Sequence, residues 1–224
     1  MVNFLQKKRS AIWLAVTAAA GLVLFALALT ALMLPYSRAI EESGGKDLTC
    51  LHVPFTRARA AAIIDSYDDE ARAAARALHF PGDTLFPVGY ALLYGGLIGL
   101  VARQQEGRWL RVGAAVMLFP AAAMIFDWIE NLFIVRMLTV SAGQSSAVIP
   151  GWMPLLGGLA GSIKYILLAI ITPLYGIAAI ARSPLHARAA LSAGVIITYL
   201  IAFALLAFNF VQVVTGVLPC LGPL

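Results

Sequence analysis

Charge is what this sequence has least of. Only 12% of its residues are charged, 61% are hydrophobic, and the mean hydropathy is +0.88. A soluble domain is about one quarter charged, so the composition excludes an ordinary water-soluble fold and points to a membrane protein. The net charge of +5 does not argue for nucleic acid as a partner. The basic residues stand in short clusters at the ends of apolar runs, where they set membrane topology. Cysteine is as scarce: Cys50 and Cys220 are too few for a zinc cluster. HExxH, Cys-x-x-Cys, Walker A and GxSxG motifs are absent, which argues against the metalloprotease, redox, nucleotide-driven and serine-hydrolase chemistries those motifs carry. The three histidines, His52, His79 and His186, fall outside the apolar runs, which argues against haem held between helices. No metal or cofactor is expected, and no internal repeat of the transporter kind stands out.

What is present is a series of apolar runs of about 20 residues, enough to cross the hydrocarbon core as helices. They are Ala11 to Leu34, Thr84 to Ala102, Val112 to Leu138, Met153 to Ala181 and Ala189 to Val214. The first follows Lys7, Lys8 and Arg9 but is too long for a signal peptide, and reads as a retained anchor. Arg103, Arg108 and Arg111 lie between the second and third runs, and Arg182 and Arg188 between the fourth and fifth. The connection from Thr139 to Trp152 carries no charge. The expected fold is therefore an all-α integral membrane protein with five transmembrane helices, its N-terminus inside and its C-terminus outside. Arginine far outnumbers lysine and alanine is abundant, so the membrane is read as a bacterial inner membrane.

This topology divides the chain into a basic start and anchor helix (1–34), an extracytoplasmic helical cap (35–82), a four-helix transmembrane bundle (83–214) and an extracytoplasmic tail (215–224). The cap mixes six basic with seven acidic residues. Thr56 is placed to cap one helix ending near Asp65. A second, from Asp68 to His79, starts with three acids and carries arginines later, an order that suits the helix dipole. Phe55, Ile63, Ile64 and Tyr67 give the cap an apolar side to rest on the bundle or the interface; a solvated connector is the alternative. Cys50 and Cys220 share the outer side, where a disulfide between cap and tail is possible.

The polar residues inside the runs form stripes at helical spacing. Asp83, Pro87, Tyr90 and Tyr94 form one; Pro120, Asp127, Glu130, Asn131 and Ile134 the next; then Gly157, Gly161, Lys164 and Leu168; and Thr198, Ala202, Leu205, Asn209 and Gln212. Asp127 and Lys164 both lie about 16 Å in from the outer ends of their runs, at 1.5 Å per residue. Antiparallel neighbours would hold them level, so Lys164 is expected to face Asp127 and Glu130. Exposing such charges to lipid costs at least about 2.5 kcal/mol each, which turns them toward the bundle interior or a water-filled cavity. Glycines 157 and 161, and 95 and 99, allow close helix approach. One cation against two acids leaves a charge over, to be neutralised by a proton, since Arg136 lies nearly on the opposite face. The cluster then has two readings: a site, or an ion pair that fixes helix register. Tyr90 and Tyr94 read as packing or interfacial residues rather than catalytic ones.

Two motifs, Asp83-Thr84-Leu85-Phe86-Pro87-Val88-Gly89-Tyr90 and Asp127-Trp128-Ile129-Glu130-Asn131, carry a resemblance. From roughly Cys50 to Thr139 the chain resembles a loose group of uncharacterised bacterial inner-membrane proteins that share D-x-x-F-P-x-x-Y and D-x-x-E-N stretches. The resemblance implies that the two motifs belong to one site; it supplies no substrate or reaction. The expected function is binding of a membrane lipid, or another amphipathic small molecule, at an outward-facing polar site. Asp127, Glu130 and Lys164 would read the headgroup, while Asp83, Tyr90, Asn131 and Asn209 line the approach. Two alternatives stand beside it: a lipid-modifying enzyme using Asp127 or Glu130 as acid and base, and an accessory subunit of a membrane complex or a homo-oligomer.

Overall fold

A computed structural model describes residues 1–43, 48–52, 55–142 and 146–182. The fifth apolar run, with Asn209, and the tail with Cys220 lie outside the described residues, as does His186. Among the described residues every regular element is helical. Among the described residues, four helical stretches are long and apolar enough to cross a membrane: Ser10–Glu42, Asp69–Ala102, Gly107–Val140 and Trp152–Arg182. The protein is thus membrane-integral, and its described part is an all-α fold.

The first stretch comprises α1 (Ser10–Leu27), a π-helical segment (Ala28–Met33) and α2 (Leu34–Glu42). It outruns the expected end at Leu34 because Pro35 does not stop it. Proline lacks an N–H and its ring crowds the carbonyl four residues back, here that of Ala31. Widening the preceding turn to a π segment absorbs that mismatch while the chain stays helical. The last stretch repeats the device: α8 (Trp152–Tyr165) passes through a π segment (Ile166–Ile171) into α9 (Thr172–Arg182), whose second residue is Pro173. Pro120 has a different outcome. The third stretch breaks there into α6 (Gly107–Val116) and α7 (Phe119–Val140), with Met117 and Leu118 in the turn between.

Two shorter helices follow the first stretch, one before the second stretch and one opening it. Helix α3 (Arg57–Ile64) is capped by the Thr56 hydroxyl, which accepts from the Arg59 N–H at 3.3 Å. Helix α4 (Asp69–His79) is capped by Asp68, which accepts from the Ala71 N–H at 2.7 Å. Asp69 and Glu70 then sit in its first turn and Arg76 in its last, each sign at the dipole end that favours it. Ile63, Ile64, Tyr67 and Leu78 are buried with Ile134, Met137 and Leu138 of α7 and Met153 of α8. The cap is therefore packed on the bundle, with Phe55 against Gly158. Arg72 adds a polar tie by donating to the Ser141 carbonyl at 2.9 Å.

After His79 the chain does not leave the bundle. Phe80 and Pro81, joined by a cis peptide, lead into a 3-10 turn (Gly82–Thr84) and directly into α5 (Leu85–Ala102). Helices α1 and α5 pack with their backbones nearly touching. A side chain at Gly89 would meet the Phe25 backbone, and one at Gly21 the backbone of Leu93. Gly96, against the Leu14 carbonyl and the Ala18 backbone, and the expected Gly99, against the Leu14 side chain, extend this contact, whereas Gly95 has only the Met117 carbonyl near it, at 3.4 Å.

Candidate functional site

Three of the polar stripes converge. Asp83, Tyr90 and Tyr94 are buried at the start of and along α5, Asp127, Glu130 and Asn131 on one face of α7, and Gly157, Gly161 and Lys164 on α8. The motif at 83–90 and the motif at 127–131 thus meet in one region. Arg136 is exposed on the other side of α7.

The first network is built around Lys164, which is only 5% exposed. Its Nζ donates to Asp127 Oδ1 at 3.0 Å and to Glu130 Oε2 at 2.5 Å. The second oxygen of each acid is also engaged. Tyr90 donates its hydroxyl to Asp127 Oδ2 at 3.0 Å, and His52 Nδ1 lies 2.9 Å from Glu130 Oε1. Every carboxylate oxygen of the pair therefore has a partner, as buried charges require. Gly161 makes room for this arrangement: an added Cβ would run into Glu130 Oε1 and the His52 carbonyl. The surplus acid, for which the sequence offered no protein partner, is met by the His52 imidazole arriving from the cap.

A second network lies beside the first. Asn131 donates its amide to Asp83 Oδ2 at 2.9 Å, and its carbonyl oxygen lies 2.9 Å from His79 Nδ1. His79 is 1% exposed and Asp83 4%, yet among the described residues His79 Nε2 and Asp83 Oδ1 have no hydrogen-bond partner. The His52 and His79 rings, 5.5 Å apart and edge to face, join the two networks.

Against this second network lies a cavity of about 460 Å³. It is lined by His79, Phe80, Asp83, Thr84, Trp128, Asn131, Leu132 and Val135. Trp128 closes one side by donating its indole N–H to the Thr84 carbonyl at 3.2 Å. Phe80 and Leu132, 68% and 67% exposed, stand on its rim. The walls are apolar and the polar groups are few, the composition of a small-molecule pocket.

Of the expected site residues, Asp83 and Asn131 line this cavity. Tyr90, Asp127, Glu130 and Lys164 are absent from its lining and instead satisfy one another and His52. Asn209 lies outside the described residues. His52 and His79 lie outside the apolar runs, yet the cap delivers both into the polar region. A signal for His79 existed: it closes its helix, as Pro81-Gly82 led one to expect, only four residues before Asp83. Among the described residues no group of three or more histidine, cysteine or acidic side chains is arranged to hold a metal. No protein-family model, curated protein or solved structure matches the chain.

Proposed function

We propose that the protein binds a membrane lipid, or another amphipathic small molecule, with its tail in the cavity beside α4, α5 and α7. The observation that carries this reading is an apolar cavity of about 460 Å³ whose buried polar residues, His79 and Asp83, are incompletely partnered. Its size falls within the range of about 300–1,000 Å³ common for ligand pockets. Apolar walls suit a tail, and a few convergent polar groups suit a head. The location of the polar groups favours Asp83, Asn131 and His79 as the reading residues, with Lys164, Asp127 and Glu130 as the brace behind them. Full pairing of that brace also speaks against Asp127 or Glu130 serving as acid or base. The two motifs that carry the resemblance contribute to both networks, so one binding region accounts for them together. The outward-facing orientation of this region belongs to the proposal.

A photoactivatable alkyl probe incorporated into nanodiscs tests the reading. Cross-links should map to Phe80, Trp128, Leu132 and Val135, and Leu132→Trp, which fills the cavity from an exposed position, should remove them. Labels spread evenly over the exposed apolar residues of all the helices would refute a dedicated pocket.

A further inference from the structure

The hydrogen bonds of Asn131 fix more than position; they decide which hydrogen-bonding atoms remain for an occupant. Asn131 gives its N–H to Asp83, so the atom it turns to His79 Nδ1 is a carbonyl oxygen, which only accepts. Nδ1 therefore carries the hydrogen, and in the neutral imidazole the lone pair is left on Nε2. That nitrogen and Asp83 Oδ1 are the two buried side-chain atoms of this network without a partner among the described residues. Both are acceptors. Both belong to residues tied to one Asn131 amide and lining one cavity. A buried acceptor without a donor is costly, so an occupant that supplies hydrogens gains here while one that brings lone pairs loses.

Resting on the binding reading above, we infer that the occupant is a primary-amine amphiphile, its N–H groups shared between Asp83 Oδ1 and His79 Nε2. A hydroxyl offers a single hydrogen and could satisfy only one of the two acceptors, whereas an ammonium offers three. A phosphate or carboxylate head offers lone pairs alone. Charge points the same way. Asp83, Asp127 and Glu130 are three acids around one lysine, and His52 is already committed to Glu130.

The test uses the full-length protein in phosphatidylcholine nanodiscs, whose quaternary headgroup has no N–H. Dodecylamine, dodecanol and laurate are offered at equal concentration. Bound probe is counted by native mass spectrometry above the level held by Leu132→Trp, which corrects for partition into lipid. Dodecylamine should be retained about tenfold more than dodecanol and more again than laurate, each tenfold corresponding to about one hydrogen bond. Asp83→Asn supplies a second arm. Its amide oxygen would take the Asn131 N–H and leave an NH2 where Oδ1 stands, so the preference for amine over laurate should shrink about tenfold. Equal retention of amine and alcohol overturns the amine assignment, as does an Asp83→Asn preference matching wild type. Equal retention of all three overturns it while leaving the binding reading in place. No retention above Leu132→Trp overturns both.

Discussion

His52 Nδ1 lies 2.9 Å from Glu130 Oε1, a contact between residues 78 positions apart that joins the cap to the centre of α7. Glu130 is fully buried, while the His52 side chain keeps 14% of its surface exposed. The cap therefore does more than cover the bundle. It completes the coordination of a charge the bundle satisfies only in part.

Replacing that imidazole should have a local and a global effect. His52→Ala leaves Glu130 Oε1 without a donor, which costs about 1–3 kcal/mol for a buried group. We expect a lower thermal midpoint in detergent, with faster proteolysis in the 48–67 region before the rest of the chain. An unchanged midpoint together with unchanged cleavage would show that Glu130 finds its second partner elsewhere.

Lys164 offers a sharper comparison. Lys164→Met strands two buried acids and should cost about 3–5 kcal/mol, the range for breaking a buried ion pair. Because the lysine serves Asp127 as well as Glu130, neutralising one acid should recover only part of the loss. The triple change Lys164→Met, Asp127→Asn, Glu130→Gln should recover most of it. If the triple variant regains its thermal midpoint and still retains the alkyl probe, the cluster is a brace. Recovered stability with lost binding would return these residues to the site. An inert Lys164→Met would mean the ion pairs contribute nothing to stability.

The space at Gly161 can be probed against a neighbouring control. Gly161→Ala drives a methyl into Glu130 Oε1 and the His52 carbonyl, whereas Gly151, one residue before α8, has nothing within 4 Å of an added Cβ. Overpacking of this kind costs about 1–3 kcal/mol, so Gly161→Ala should unfold at clearly lower temperature than Gly151→Ala. Equal midpoints would imply that α7 and α8 separate without penalty.

The meeting of Lys164 with Asp127 and Glu130 was legible in the sequence because two constraints sufficed. A charge within an apolar run turns away from lipid, and residues at equal depth on antiparallel helices lie level. Asp83 and Asn131 followed from the same stripes. The histidines were not legible in this way. His52 belongs to a 3-10 turn whose path depends on how the cap packs, and no periodicity within the spans registers it. The end of the apolar run at Leu34 also did not mark the end of the helix, because a π segment carries it onward past Pro35 and composition does not reveal whether a turn will widen. The cavity was invisible for another reason. Trp128, Leu132 and Val135 are apolar residues on a helix whose sequence alone does not mark them as a pocket, and the placement of Phe80 and Thr84 beside them forms the cavity.

The remaining prediction joins topology to the site. Cys50 is buried in the same short turn that presents His52 to Glu130. The proposed topology, N-terminus inside with five spans, would put Cys50 and Cys220 on the outer side, where thiols are oxidised. Non-reducing mass mapping of protein purified without reductant should then find a peptide linking the two. A reporter fused after Leu224 should be active only outside, and one inserted at Gln104 only inside. Cys220→Ser should lower the thermal midpoint by the equivalent of about 2–4 kcal/mol, a common range for a native disulfide. Because the link would hold the turn carrying His52, the loss should be smaller when His52→Ala is already present, and that non-additivity separates an effect on the site from general loosening. Two reduced thiols would sink the link. Reporters active on the reversed sides would also remove the basis for an outward-facing site.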